Sequence, residues 1–411
     1  MGPGLRLFIS AGEVSGDLYG AQLTHALRQL AGNRELDLYA LGGPRMAAAG
    51  ARLLADTAGR GTIGFVDPLR QLLPSLALYR TVSRELRRCP PQAAVLIDYP
   101  GVNLPLARLV HDRLRIPLAW YLPPEEHLWS RQGNRRLDRS HRVGARSDLI
   151  LTAHAQDTAL FRSMGCQVRQ VGHPLLDRAP ERPLSRPAAR ELAAPGHGGP
   201  LVALFAASRA IELRLLWPVL AASAARLLER RPEVAFLVPL AGPHLAPALE
   251  RALARTRRDY PQLATRLLPL TGSPGGQRPG DLAAAAADLA LCKAGSVTLE
   301  LALAGVPLVM LYRIDRVTEW VGRHWLGLSE AHFPYIALPN MLLREPLVPE
   351  FKQHDTDPDA IAAAALALLD PDGPARRAQL AGFARLRAGL GGGGAATRAA
   401  AEVLALAAGG G

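Results

Sequence analysis

Short, continuous apolar runs recur along this chain, and between them the apolar residues return at helical spacing. In the first half the runs fall at 5–10, 36–41, 93–98, 118–122, 149–152 and 168–171. In the second half they fall at 201–205, 234–239, 266–270, 288–292, 307–312 and 335–338. Continuous runs mark strands covered on both faces, and helices between successive strands imply parallel pairing. The expected fold is α/β: two doubly wound, Rossmann-like domains with a cleft between them. The pattern assigns 1–177 to an N-terminal domain, 178–200 to a linker rich in proline and glycine, 201–370 to a C-terminal domain and 371–411 to a helical tail. In such folds ligands bind outside the carboxyl ends of the strands, so the loops at those ends are the places to look for chemistry.

Composition narrows the field. Charged residues make up 20% and hydrophobic residues 49% of the 411 positions, a globular balance. The net charge is +12, carried almost wholly by arginine; Lys293 and Lys352 are the only lysines. This excess suits anionic partners, and it also suits a genome that writes arginine for lysine. With aromatics at 5% and none interleaved with the basic residues, a single-stranded nucleic-acid surface is disfavoured, and no nucleic-acid partner is expected. Cys89, Cys166 and Cys292 are far apart and show no metal-ligand spacing, so they read as reduced, buried thiols of a cytoplasmic protein. No secretory signal precedes the first strand, and no apolar stretch is long enough to span a bilayer.

Several strand-end loops carry candidate chemistry. At Ala294-Gly295-Ser296 a strand gives way to a helix with Glu300 one turn in. Free backbone N–H groups at such a turn bind phosphate, and Glu300 then suits the hydroxyls of an attached ribose; the alternative is an ordinary turn with a solvated glutamate. Ser208-Arg209 opens the helix after the first strand of the second half. An arginine there opposes the helix dipole, which points to an anionic ligand such as a diphosphate, or else to a solvated side chain. Asp98 ends a strongly apolar strand, where it serves either as a proton acceptor for a substrate hydroxyl or as a loop carboxylate. The loop Gly12-Glu13-Val14-Ser15-Gly16-Asp17 is a polar turn in which Ser15 or Asp17 can cap the following helix. His173 closes the first half, touching a phosphate or pinning a hinge. Between 63 and 88, Phe65, Val66, Leu69, Leu72, Leu73 and Leu76 cluster among arginines. That suits a helix lying in an anionic membrane surface, or a core helix with a basic outer face.

Taken in order, the segments Ala11-Gly-Glu-Val-Ser-Gly-Asp17, Leu96-Ile-Asp-Tyr-Pro-Gly-Val-Asn103, Val171-Gly-His-Pro174, Ser208-Arg209, Gly295-Ser-Val-Thr-Leu-Glu300, Leu338-Pro-Asn340 and Val348-Pro-Glu-Phe-Lys-Gln353 resemble the lipid-A-disaccharide synthase family. The likeness covers about residues 5 to 355 and is closest to a divergent, cyanobacterial-like branch. It departs from the family pattern at Ala206-Ala207, at Ala294-Gly295-Ser296 and between Tyr121 and Trp129.

The resemblance implies a two-domain B-type glycosyltransferase fold. It also implies an inverting transfer of 2,3-diacylglucosamine from UDP to 2,3-diacylglucosamine 1-phosphate, forming a β-1,6 disaccharide. Asp98 would be the base and Arg209 the counter-charge to leaving UDP. Gly295 and Ser296 would meet the diphosphate, Glu300 the ribose, and Asn340 the nucleotide end. Glu13, Ser15, Asp17 and His173 would lie on the acceptor side. No metal or other cofactor is implied. The 63–88 cluster would hold the enzyme peripherally on the cytoplasmic face of the inner membrane, and a homodimer is left open. Two other readings stand beside this one: a different UDP-sugar enzyme of the same fold, such as a UDP-N-acetylglucosamine 2-epimerase, and a weakly catalytic paralogue that binds lipid or nucleotide sugar.

Overall fold

Strand β4 (Ala93–Ile97) is five apolar residues, all fully buried, and only a sheet covered on both faces accommodates it. It lies beside β1 (Leu5–Ala11) in a parallel sheet whose other members are β2 (Leu36–Gly42), β3 (Arg52–Asp56), β5 (Leu118–Tyr121), β6 (Leu149–Thr152) and β7 (Val168–Gln170). This computed structural model describes residues 4–57, 72–124, 139–177, 184–272, 277–325 and 333–409. The strand order is β3-β2-β1-β4-β5-β6-β7, with every pairing parallel. Register places Ile9 between Ala40 and Val95. The chain leaves β1 toward β2 on one side and later returns to β4 on the other, so the order reverses between β1 and β4.

The second sheet repeats this plan with β8 (Leu201–Phe205), β9 (Ala235–Pro239), β10 (Leu267–Leu270), β11 (Leu289–Lys293), β12 (Leu308–Tyr312) and β13 (Glu350–Lys352). Its order, β10-β9-β8-β11-β12-β13, is again all parallel, and the reversal lies between β8 and β11. Each sheet has its own apolar core. In the first, Phe8, Tyr39, Leu96 and Trp120 are fully buried; in the second, Val202, Leu204, Phe236 and Leu291 are.

The chain divides into two compact units. One comprises 1–178 with 328–332 and 389–411; the other comprises 179–327 with 333–388. The tail is therefore shared between them. The helix Pro374–Gly389 is fixed in the second unit by buried Gln379, whose Oε1 accepts from Leu308 N at 2.8 Å and whose Nε2 donates to the Leu308 carbonyl at 3.1 Å. The helix Ala395–Gly409 belongs to the first and packs on the helix Glu13–Ala31 of this same chain. Its start is capped by Asp177, which accepts from Gly394 N at 2.5 Å, Ala395 N at 3.1 Å and Ala396 N at 2.7 Å. The stretch expected to be linker contains a helix, Arg186–Ala193. Arg186 and Arg190 hold it to Asp288 at 2.5 and 2.8 Å, and the same carboxylate accepts from Leu201 N at 2.8 Å.

Three local expectations are corrected. The segment 335–338 is not a strand: Ile336 N and Ala337 N donate to the Glu350 carboxylate, and the chain enters the helix Leu338–Leu343 with Pro339 in its first turn. Strands β3 and β13 escape the apolar pattern because both are short edge strands with charged ends. All three cysteines are free, but only Cys292 is buried; Cys89 and Cys166 are half-buried.

Candidate active site

The loops after β1 and β4 meet at the reversal point of the first sheet, and Asn103 holds them together. Its side chain is fully buried. Oδ1 accepts from Ser10 Oγ at 2.6 Å, while Nδ2 donates to the carbonyls of Ile97 and Asp98 at 2.9 and 2.8 Å. The backbone it holds is strained: Asp98 and Tyr99 take φ of 42° and 46°, and Glu13 in the neighbouring loop takes 59°. Side-chain-bearing residues avoid this region at a cost of about 1–2 kcal/mol each. Three of them at one sheet edge mark a loop shape that the surrounding contacts impose. Tyr99 lies flat against Gly12, where a Cβ would come within 2.1 Å of the ring, so only glycine fits. Asp98 is exposed at this carboxyl edge, and Glu13 and Ser15 are half-buried in the adjacent loop.

The helix after β1 begins at Glu13 with Gly12 as its N-cap, so neither Ser15 nor Asp17 caps it. Asp17 has a different task. It is 2% exposed and accepts from Gly43 N at 2.8 Å, Arg45 N at 3.1 Å and Met46 N at 3.0 Å, capping the helix Pro44–Ala48. Its carboxylate is spent on backbone donors, which removes it from the acceptor-side set. His173 is also buried: Nδ1 accepts from Leu175 N at 3.1 Å, and the ring meets Tyr19 edge-on at 5.8 Å. It packs within the first unit and closes the turn after β7.

In the second unit the reversal point brings the loop after β8 against the turn after β11. Gly295 sits at φ 127°, ψ −166°, a conformation essentially closed to any residue with a side chain. It is the N-cap of the helix Ser296–Leu303 and offers no side chain to cap it; Thr298 N donates back to the Gly295 carbonyl at 3.0 Å, and the N–H groups of Ser296 and Val297 are left without a capping side chain. Ser296 Oγ donates to Glu300 Oε1 at 3.1 Å, turning that carboxylate toward the helix start.

Beside this turn stands a cluster in which the sequence reading foresaw only Ser208 and Arg209. Glu212, 7% exposed, accepts from Ser208 N at 2.7 Å, Ser208 Oγ at 3.1 Å and Arg209 N at 3.2 Å. Lys293, the last residue of β11, reaches Glu212 Oε1 at 2.9 Å and Ser208 Oγ at 2.8 Å. Arg209 Nη1 lies 3.7 Å from the same oxygen. Burial alone would push the Glu212 carboxyl up; Lys293, the Ser208 N–H and Arg209 outweigh it and hold the group below its ordinary range. Glu212 accounts for an arginine at a helix N-terminus, and its one carboxylate faces two cations beside the Gly295 turn. The scarcity of lysine in an arginine-rich chain was the available signal for Lys293.

Asn340 does not present its side chain to a ligand. It is 1% exposed: Oδ1 accepts from Val348 N at 2.7 Å, and Nδ2 donates to the Val348 carbonyl and to Glu350 Oε1 at 2.8 and 2.9 Å. Its place is structural, shaping the loop before β13. Of the apolar cluster, Phe65, Val66 and Leu69 lie outside the described residues. Leu72, Leu73 and Leu76 fall on the helix Leu72–Arg88, whose later turns bury Leu78, Val82 and Leu86 and expose Arg80, Arg84, Arg87 and Arg88. Among the described residues no group of acidic, histidine and cysteine side chains is arranged to hold a metal ion.

Two parallel doubly wound units, each with polar loops at its reversal point, define a class: the two-unit, Rossmann-like α/β proteins. Solved structures agree on the fold. The UDP-GlcNAc 2-epimerase of Neisseria meningitidis, bound to UDP-GlcNAc, covers 97% of this chain and 100% of its own at a TM-score of 0.64 and 10% identity. The glycosyltransferase of kitacinnamycin covers 99% and 100% at 0.59 and 16%. At these identities the likeness concerns fold alone. Sequence is more specific. The model of the lipid-A-disaccharide synthetase family matches residues 7–382. The lipid-A-disaccharide synthase of Prochlorococcus marinus is 41% identical over 409 residues, 98% of this chain and 99% of its own length. That of Synechocystis is 37% identical over 404 residues, 97% of each. The chain belongs to the lipid-A-disaccharide synthetase family and is a glycosyltransferase.

Proposed function

We propose that this chain joins two acylated sugars. It transfers 2,3-diacylglucosamine from its UDP donor to the 6-hydroxyl of 2,3-diacylglucosamine 1-phosphate, giving a β-1,6-linked disaccharide and UDP. The observation that carries the donor half is the Gly295 turn, with Arg209 and Lys293 sharing one carboxylate beside it. A diphosphate set there would meet both cations and the backbone N–H groups that open the helix. Family membership over residues 7–382 supports the choice of sugar and acceptor.

In this reading Asp98 takes the proton of the acceptor 6-hydroxyl. The new bond forms between that oxygen and the donor anomeric carbon, on the face opposite the bond that breaks to the phosphate oxygen, so the anomeric centre inverts. UDP leaves with the bonding pair, and Arg209 offsets the charge that develops on it. Gly295 and Ser296 give backbone N–H groups to the phosphates, and Glu300 takes the ribose hydroxyls. Glu13 and Ser15 line the acceptor side of the first unit.

The acyl chains call for a lipid surface, and we assign the enzyme to the cytoplasmic face of the inner membrane as a peripheral protein. No helix among the described residues is long and apolar enough to cross a membrane. Support comes from the basic excess, from the 65–76 apolar cluster, and from the helix Arg316–Trp325, where Val317 and Trp320 are half exposed between exposed Arg316 and Arg323.

The test is a transfer assay in detergent with radiolabelled UDP-diacylglucosamine and unlabelled acceptor. Label should move into a disaccharide, with one UDP released per bond formed. Label confined to monosaccharide, or to a C2 epimer of the donor, would refute the reading.

A further inference from the structure

We propose that Lys293 is a diphosphate-binding residue of the donor site, and that Glu212 is the positioning residue that aims both Lys293 and Arg209. This rests on the donor reading above. The chain has two lysines among 48 basic residues; each is the last residue of a strand and pairs with a nearly buried glutamate. Their surroundings differ in one respect. Lys352 meets three oxygens: it pairs with Glu350 at 2.8 Å and donates to the carbonyls of Phe333 and Pro334 at 3.2 and 3.0 Å, so it is a structural strut. Lys293 meets two, Ser208 Oγ and Glu212 Oε1, and among the described residues it makes no third hydrogen bond or ion pair. Its ammonium lies 3.7 Å from where a Cβ on Gly295 would stand, beside the uncapped start of the helix Ser296–Leu303.

Glu212 joins the carboxyl ends of two neighbouring strands. It holds the backbone of Ser208 and Arg209 after β8, and through Lys293 it holds the end of β11. Spacing between the Arg209 loop and the Gly295 turn is therefore set by one carboxylate. An ammonium is a compact point donor, whereas a guanidinium is a longer planar fork that does not fit the Ser208–Glu212 pair in the same way. A chain that otherwise writes arginine keeps lysine here, so geometry as well as charge is required.

The experiment measures binding of uridine, UMP and UDP to the full chain by calorimetry, with donor KM and kcat alongside. The variants are K293A, K293R and E212Q. Wild type should gain affinity from uridine to UDP. K293A should lose about tenfold in UDP affinity with uridine affinity unchanged, as for one charge-assisted hydrogen bond. K293R should restore less than half of that loss on a logarithmic scale. E212Q should lower kcat and UDP affinity together and leave uridine binding intact. If K293A does not fold, K293Q, which keeps a polar group near Ser208, is measured instead. Equal UDP affinity in wild type and the Lys293 variants, or full recovery by K293R, overturns the proposal. Loss of uridine and UDP affinity in equal measure also overturns it, because it makes Lys293 structural. Absence of UDP binding in the wild type would instead defeat the donor reading itself.

Discussion

Asn103 Nδ2 donates to the Asp98 carbonyl at 2.8 Å, and that bond holds the proposed catalytic aspartate in a left-handed backbone conformation. The same amide joins β4 to Ser10 of β1, so one buried side chain fixes the loop geometry at the reversal point of the first sheet. Asn103→Ala leaves buried Ser10 Oγ, the buried Ile97 carbonyl and the Asp98 carbonyl without this partner. It should destabilise the first unit by about 2–3 kcal/mol, the usual cost of orphaned buried polar groups. Urea unfolding measures this; a change under about 0.5 kcal/mol would show that the loop holds its shape by other means.

Gly295 occupies a region of backbone space that a side chain makes costly, by about 1–3 kcal/mol. Gly295→Ala should lower UDP affinity, because the turn must relax and its N–H groups turn with it. Equilibrium dialysis with labelled UDP is the direct readout. Unchanged affinity would mean that the phosphates do not rest on this turn.

Acid stability reports on the Glu212 cluster. Its carboxyl is buried, which alone raises the pKa, but Lys293, the Ser208 N–H and Arg209 bring it below the ordinary 4.5. A group whose folded pKa is depressed contributes stability that is present above the unfolded value and is lost as pH falls through the folded one. Unfolding midpoints of the wild type should therefore drop below about pH 4.5 partly through this group, whereas Glu212→Gln should show a shallower drop from a lower starting midpoint. Parallel pH curves for the two proteins would remove Glu212 from the account.

Leu72, Leu73 and Leu76 precede the buried turns of a helix whose outer face is basic. Replacing the three with serine should reduce co-sedimentation with anionic vesicles severalfold while circular dichroism stays the same. Loss of the folded signal instead would place these side chains in the core.

The fold was largely legible because buried parallel strands announce themselves as unbroken apolar runs: eleven of the twelve runs expected from the sequence overlap observed strands. Two edge strands were not, since Arg52–Asp56 and Glu350–Lys352 are held by pairing on one side and carry charge at their ends. Loop positions of the candidate site at the strand ends were legible too, because strand ends and glycine turns follow from the same pattern. Side-chain tasks within those loops were not. Asp17 and Asn340 look like ligand groups in the sequence, yet each is consumed by partners from segments that sequence spacing does not bring near: the backbone of Gly43 to Met46 for the one, the Val348 backbone and the Glu350 carboxylate for the other. Lys293 and Glu212 lie 81 positions apart, and only the adjacency of β8 and β11 makes them a pair.

The central claim divides the work between an aspartate of one unit and a diphosphate site of the other. Single-turnover transfer by Asp98→Ala, measured beside its UDP dissociation constant, tests that division most directly. Turnover should fall at least about a hundredfold, the typical worth of a positioned general base, with UDP affinity within twofold of wild type. Retained turnover, or a parallel collapse of UDP binding, would contradict it.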